Sequence, residues 1–308
     1  MNYDQELVKT LNELKRVTGL NFSIEIDDED QTPEIIRQIR GLSNAYKEKN
    51  NKNLVIKKWL TGSISEDEFL DLAKKLHIPI EENRVLYLIT MDGADNSEII
   101  TILKNMFPNN SNIWLIPINA TQLVLLYSFY RIEPNLKENA YAILDTLNTE
   151  ALAQVKIAYS EVTSHLLKLP VAYQQACFAM EVGKIFYCNQ SIYGHDNLGI
   201  GRLLYDIPDV LCKDYIKEKL KDPLSSYQST AFEADMLHTV NCFLDNNLNI
   251  AETARQLHIH RNTLLYRMEQ IEKETSLDIR QFHQAMTYKI SSLILLKLAG
   301  TDSGSSRD

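Results

Sequence analysis

With 308 residues, of which 44% are apolar and 24% charged, the chain is long enough for two or three domains with cores of their own. A formal net charge of −9 argues against indiscriminate polyanion binding, because the field of the whole molecule repels phosphate; any nucleic-acid contact must be local. No apolar run reaches the roughly 18 residues of a membrane helix, and the opening MNYDQELVKTLNELKRV lacks a signal peptide's apolar centre, which predicts a cytoplasmic protein with no membrane partner.

Residues 1–80 read as a mainly helical N-terminal region. Leu7, Leu11, Leu14 and Val17 recur at helical spacing, and so do Ile35, Ile36, Ile39 and Leu42 behind Pro33 at a helix start. Between them IEIDDEDQT reads as a short strand and an acidic turn, with Asp27 to Asp30 as a solvated loop. In SEDEFLDLAKKLHI, Ser65 and Glu68 form a capping box, and Phe69, Leu72, Ala73 and Leu76 give the buried stripe.

Over residues 81–197 strands alternate with helices. VLYLITM (85–91) is a continuous apolar strand and SEIITILKNMF (97–107) an amphipathic helix; NIWLIPI (112–118) and QLVLLYSF (122–129) are close enough to pair as a hairpin. A helix in NLKENAYAILDTLN (135–148), a strand VKIAYSE (155–161), a long helix around PVAYQQACFAMEVGKIF (170–186) and a short strand near SIYGHD follow. This order predicts an α+β domain whose sheet contains antiparallel strands and is covered by helices on one face.

Residues 198–300 read as an all-α domain. DNLGIGRLLYDIP and VLCKDYIKEKLKDP lead, past a break at Lys221-Asp222-Pro223, into a long helix near Phe232 to Asp245, and a helix near Phe282 to Leu298 closes the domain. Residues 301–308, TDSGSSRD, are a disordered tail on composition. Cys177, Cys188, Cys212 and Cys242 form no C-x-x-C pair and read as buried thiols, neither a zinc knuckle nor a disulfide framework.

One stretch concentrates chemistry: NIAETARQLHIHRNTLLYRMEQIEKE, residues 249–274. Asn249 is a good N-cap, with Glu252 three residues on able to return to the backbone. Ile250, Ala251, Ala254 and Leu257 share one face of a first helix, about 249–257; after a break at His258-Ile259-His260, Leu264, Met268 and Ile271 begin the stripe of a second, about 260–275. A short helix, a turn of about three residues and a longer helix is the arrangement of a DNA-reading helix-turn-helix.

At about 100° per residue, that stripe turns Asn262, Tyr266 and Lys273 outward, with Thr263 beside them and Arg261 and Arg267 on the shoulders. Short polar groups at the tip can reach base edges and flanking guanidinium groups can reach phosphates. Asn262 is the best candidate for base readout, since one amide can donate to and accept from adenine. Arg255 and His260 complete a local basic patch on a chain otherwise acidic. His258 and His260, with His238 and Cys242 at i, i+4 on the preceding helix, carry no metal-site signature. No nucleophile motif or cofactor-binding motif is present either.

The run ARQLHIHRNTLLYRMEQIEKETSLD resembles the C-terminal DNA-binding domain of the PucR/CdaR family of bacterial transcriptional regulators. The resemblance is carried by Asn249, Ala254, Leu257, His260, Arg261, Asn262, Thr263, Leu264, Tyr266, Arg267 and Leu277. Where this type of turn usually has Gly, the chain has His258, and His tolerates a left-handed backbone better than most non-Gly residues. The middle region resembles that family's degenerate GGDEF-like domain, and the lead-in NLVIKKWLTGSISEDEFLDLAKKLHIPI resembles the approach to it; the first fifty or so residues fall outside the resemblance. A GGDEF cyclase needs its glycine-rich turn between the paired strands; Ile118-Asn119-Ala120-Thr121 stands there instead, which argues against catalysis. Asp92, where such domains hold a metal carboxylate, reads as a turn residue.

The resemblance implies a transcriptional regulator that binds double-stranded DNA, in a family that commonly answers to a small-molecule effector. Because one reading helix contacts too few base pairs for useful specificity, a homodimer or higher homo-oligomer is expected. Two other classes compete: a non-catalytic nucleotide- or metabolite-binding signalling module, and a scaffold whose helix-turn-helix meets protein.

Overall fold

A computed structural model describes residues 3–18, 22, 24, 32–92, 96–107, 112–130, 135–151, 154–219 and 230–304. The chain divides into two units, Met1–Met180 with Ser191–Asp196, and Glu181–Gln190 with Asn197–Asp308. Most of the strand and turn expected in IEIDDEDQT, including Asp27 to Asp30, and the break at Lys221-Asp222-Pro223 lie outside the described residues.

In the first unit, helices α1 (Tyr3–Thr18) and α2 (Thr32–Leu60) pack Leu7 and Leu14 against Ile36 and Ile39, all buried. Ion pairs Arg40–Glu6 at 2.6 Å and Lys47–Glu13 at 2.5 Å run beside that seam. Helix α2 continues through the lead-in NLVIKKWL and presents Trp59 to Phe69 of α3 (Glu66–Lys75), the rings stacked with centroids 4.5 Å apart. Helix α3 starts where its cap predicts: Ser65 Oγ accepts the Glu68 N–H at 3.3 Å. Phe69 and Ala73 are fully buried, and Leu72 and Leu76 half-buried.

The chain continues through β1 (Glu81–Asp92), α4 (Asn96–Met106), β2 (Ile113–Pro117), β3 (Gln122–Phe129), α5 (Leu136–Glu150), β4 (Gln154–Tyr159), β5 (Thr163–His165), α6 (Leu169–Phe186) and β6 (Ile192–Gly194). The sheet order is β2-β3-β1-β4-β6, with β5 on the start of β1; every pairing is antiparallel except β4 with β6. Tyr87, Ile89, Leu125 and Ile157 pack on one face with Ile99 and Leu103 of α4 and Ile143 and Leu147 of α5.

The opposite face is covered as well, contrary to the expectation of helices on one side. Leu86, Leu88, Val124 and Leu126, which alternate with the first set, are also buried. Asn53 of α2 donates to the Leu115 carbonyl at 3.0 Å, and Thr90 meets Met180 of α6 at 3.7 Å. A strand that is apolar at nearly every position, as 85–91 is with Thr90 the exception, is one that buries both faces. At the edge, β6 lies so close to β4 that a Cβ on Gly194 would sit 2.4 Å from the Tyr159 ring.

The second unit contains α7 (Gly199–Tyr205), α8 (Asp209–Lys219), α9 (Thr230–Asp245), α10 (Ile250–Gln256), α11 (Arg261–Thr275) and α12 (Phe282–Gly304). Lys297 of α12 is buried and closes the end of α7, donating to the carbonyls of Leu204 at 3.2 Å and Tyr205 at 2.8 Å and to that of Ile207. A cation is favoured there by the carbonyls a helix leaves unpaired. Helix α12 takes in residues 301–304 of the stretch read as a tail, and 305–308 lie outside the described residues. The thiols divide: Cys212 and Cys242 are buried, Cys177 is half-buried, and Cys188 is exposed, because it falls in the turn after α6 and not on a packed helix face.

Candidate nucleic-acid interface

Helices α9 to α12 build one apolar core, in which Met236, Val240 and Phe243 of α9 meet Ala254 of α10, Leu264, Met268 and Ile271 of α11, and Ala285 of α12. The stripe read from spacing is thus the face on which α11 sits. Ala254 on α10 is buried in the same core, its small side chain suited to close helix approach.

The connections are set by backbone geometry that few side chains tolerate. Asn247 and Leu248, between α9 and α10, have φ of 52° and 62°; His258, between α10 and α11, has φ of 53°. The left-handed turn expected at His258 is therefore present, held by an imidazole-bearing residue where glycine is the easier choice. Asn249 caps α10, its Oδ1 accepting the Glu252 N–H at 3.1 Å. Glu252 does not complete a capping box. It pairs instead with Arg255, whose Nε and Nη2 donate to the carboxylate at 3.2 and 2.6 Å, since an i, i+3 guanidinium is a stronger donor than a backbone amide.

Helix α11 begins at His260, whose Nδ1 accepts the Asn262 N–H at 3.2 Å. His260, Arg261, Asn262 and Thr263 are all exposed at this tip, and Tyr266 and Lys273 are exposed further along the same helix, Tyr266 to 59%. Arg255, on α10, keeps a side chain 78% exposed despite its pairing with Glu252. Arg267 is placed differently. It is half-buried, and its Nη1 donates at 2.9 Å to Oγ1 of Thr239 on α9, a residue with no exposure.

Residues that sequence reading passed over hold this arrangement. Thr239 lies among the apolar residues of α9 and looks like one more stripe position. Asn246 Nδ2 reaches Gln256 Oε1 on α10 at 2.5 Å, and Lys289 of α12 donates to Asn241 of α9. Cys242 belongs to the α9–α10 joint, its Sγ 3.4 Å from Gln256 Oε1, and burial pushes its thiol up from the ordinary value. Among the described residues no group of three or more His, Cys, Asp or Glu side chains could hold a metal. After α11, Asp278 accepts from Arg280 N at 3.1 Å and from its Nε at 2.6 Å; that side-chain bond holds the Asp278 carboxyl below the usual range.

In the first unit the β2–β3 turn is Asn119-Ala120-Thr121, closed on itself by Asn119 Oδ1, which accepts Thr121 N at 3.0 Å. Asn96, at the start of α4, donates to the Asn119 and Ala120 carbonyls at 2.6 and 3.0 Å. Asp92 ends β1, and its side chain lies outside the described residues.

A mixed sheet unit followed by a helical unit that carries a helix-turn-helix defines the class of this protein. Residues 236–294 match the PucR C-terminal helix-turn-helix domain, and residues 61–182 match the GGDEF-like domain. The chain therefore carries a PucR-type helix-turn-helix domain and a GGDEF-like domain. It is 26% identical over 136 residues to the purine catabolism regulatory protein of Bacillus subtilis, covering 43% of this chain and 25% of that one. To the proline-responsive transcriptional activator PutR of the same organism it is 30% identical over 136 residues, covering 44% and 33%. To its DNA-binding transcriptional activator AdeR it is 23% identical over 245 residues, covering 75% and 56%. The chain thus spans only a quarter to about half the length of these relatives. Among the described residues no helix is long and apolar enough to cross a membrane.

Proposed function

We propose that the protein is a sequence-specific, DNA-binding transcriptional regulator that acts in the cytoplasm. The observation that carries this reading is the exposed tip of α11, where Asn262, Thr263 and Tyr266 stand outward on a helix whose opposite face is fixed in a four-helix core. A helix presented in this way can enter a major groove N-terminus first. Asn262 and Thr263, with Tyr266 behind them, read base edges. Arg261, His260, Arg255 and Lys273 hold phosphates, at a helix end whose dipole favours anions.

One such helix contacts too few base pairs for useful specificity, so the protein acts as a homodimer or higher homo-oligomer on half-sites about 34 Å apart. It is not an enzyme: the β2–β3 turn carries Asn, Ala and Thr side chains where cyclase chemistry requires glycines. The sheet unit serves assembly or the reception of a small-molecule effector.

The test is the salt dependence of duplex binding by the full chain. Each phosphate neutralised contributes about −0.9 to the slope of log affinity against log salt, so a slope of several units is expected. Binding insensitive to salt, or absent at low salt, would contradict the reading and favour a protein-binding scaffold.

A further inference from the structure

We infer that Arg267 is a positioning residue: it fixes the rotation of the reading helix by bonding to α9 and makes no phosphate contact. The inference rests on the DNA-binding reading above and reverses the role that sequence spacing gives this arginine.

Polar bridges join three helices of the core to α9 or to its C-terminal turn. Gln256 of α10 accepts from Asn246 at 2.5 Å, Arg267 of α11 donates to Thr239 at 2.9 Å, and Lys289 of α12 donates to Asn241. Apolar packing is non-directional. Leu264, Met268 and Ile271 hold α11 against the core without fixing its rotation sharply, whereas a guanidinium bonded to a hydroxyl does so. Base readout needs groups held within about 0.5 Å and 10–20° of the productive geometry, so this bridge acts on what Asn262 can reach.

Helical geometry agrees. At about 100° per residue, Arg267 lies about 70° from the mean direction of Leu264, Met268 and Ile271, while Asn262, Tyr266 and Lys273 lie about 150–170° from it. Arg261 stands at a similar angle, about 55°, but in the first turn it is exposed; Arg267, deeper along the helix, is half-buried. Its acceptor Thr239 is fully buried, which places the charged end of the side chain at the edge of the core and not on the outward face.

The experiment uses the full chain and a duplex enriched from a random pool, with affinity measured across salt. Arg261→Ala, removing an exposed cation, should flatten the log–log slope by about 0.9. Arg267→Gln and Thr239→Val should leave the slope unchanged and lower the ratio of specific to non-specific affinity about ten-fold, the scale of one lost charged hydrogen bond. The double variant should be no worse than the worse single, because both remove one bridge. Arg267→Lys keeps the charge without the planar fork and should not restore the ratio.

A flattened slope in Arg267→Gln, with Thr239→Val binding as the wild type and Arg267→Lys restoring affinity, would overturn the inference. Amide exchange along α11 in the unliganded chain separates the two levels of the account. If the wild type enriches no duplex, the DNA-binding reading fails, while faster α11 exchange in Thr239→Val and Arg267→Gln still supports the bridge and unchanged exchange in both removes it. If Arg267→Gln does not fold, Thr239→Val, nearly isosteric and lacking only the hydroxyl, gives the decisive comparison.

Discussion

His260 caps the helix that carries Asn262 through a bond to Asn262 itself: its Nδ1 accepts the Asn262 backbone N–H at 3.2 Å. One side chain thus satisfies an orphan amide of the first turn and fixes the backbone of the residue best placed to read a base. A ring nitrogen that accepts here puts the hydrogen of the neutral imidazole on Nε2, as a donor at the same exposed tip. Replacing His260 by Ala should cost about 1 kcal/mol of stability. His260→Asn should recover most of that, because an amide oxygen caps equally well, while losing the ring donor. Thermal unfolding of the three proteins checks this; equal midpoints would mean the cap contributes nothing.

His258 stands at φ of 53°, a conformation that costs a non-glycine residue about 1–2 kcal/mol. His258→Gly should therefore raise stability by about 1 kcal/mol after glycine's greater unfolded freedom is subtracted, and His258→Val should lower it by at least as much. A destabilised glycine variant in thermal unfolding would mean that the imidazole makes a compensating contact.

Asn262→Ala should weaken binding to an enriched site by about 1–3 kcal/mol and barely change binding to random duplex. Titration of both duplexes decides it. Equal loss on the two would reduce Asn262 to a residue that only orients the helix.

The turn from α11 to α12 should be acid-sensitive. The hydrogen bond from Arg280 depresses the Asp278 carboxyl below its ordinary value, so the folded state binds the proton less readily than the unfolded chain. The stability this contributes is present above about 4, the unfolded carboxyl value, and fades as pH falls below it toward the folded value. Asp278→Asn should flatten that acid limb, read as amide protection of residues 276–285 against pH. An unchanged limb would place the acid sensitivity elsewhere.

What was legible in the sequence was what periodicity and backbone chemistry encode. Leu264, Met268 and Ile271 announce the buried face of α11, Asn249 announces the start of α10, and a histidine in the glycine position of the turn announces the left-handed residue at 258. Side chains that choose among partners were not legible. Glu252 could have returned to the cap, but Arg255 offers a stronger donor on the same helix. Arg267 reads as a surface cation by type, although its angle already leans toward the core; its acceptor Thr239 is distant in sequence and disguised among apolar neighbours. In the sheet, the run of five apolar residues Val85 to Ile89 in β1 carried the signal for two covered faces. The three-residue β5 exists through its pairing with β1 and has no pattern of its own.

The central claim is that the tip of α11 reads sequence. The most direct test is selection of bound duplexes from a random pool by the full chain, beside an Arg261→Ala/Asn262→Ala protein shown to be folded. Enrichment of a two-fold symmetric site by the native chain alone, with half-sites about one helical turn apart, is the predicted result. No enrichment, or the same site enriched equally by the double variant, would contradict it.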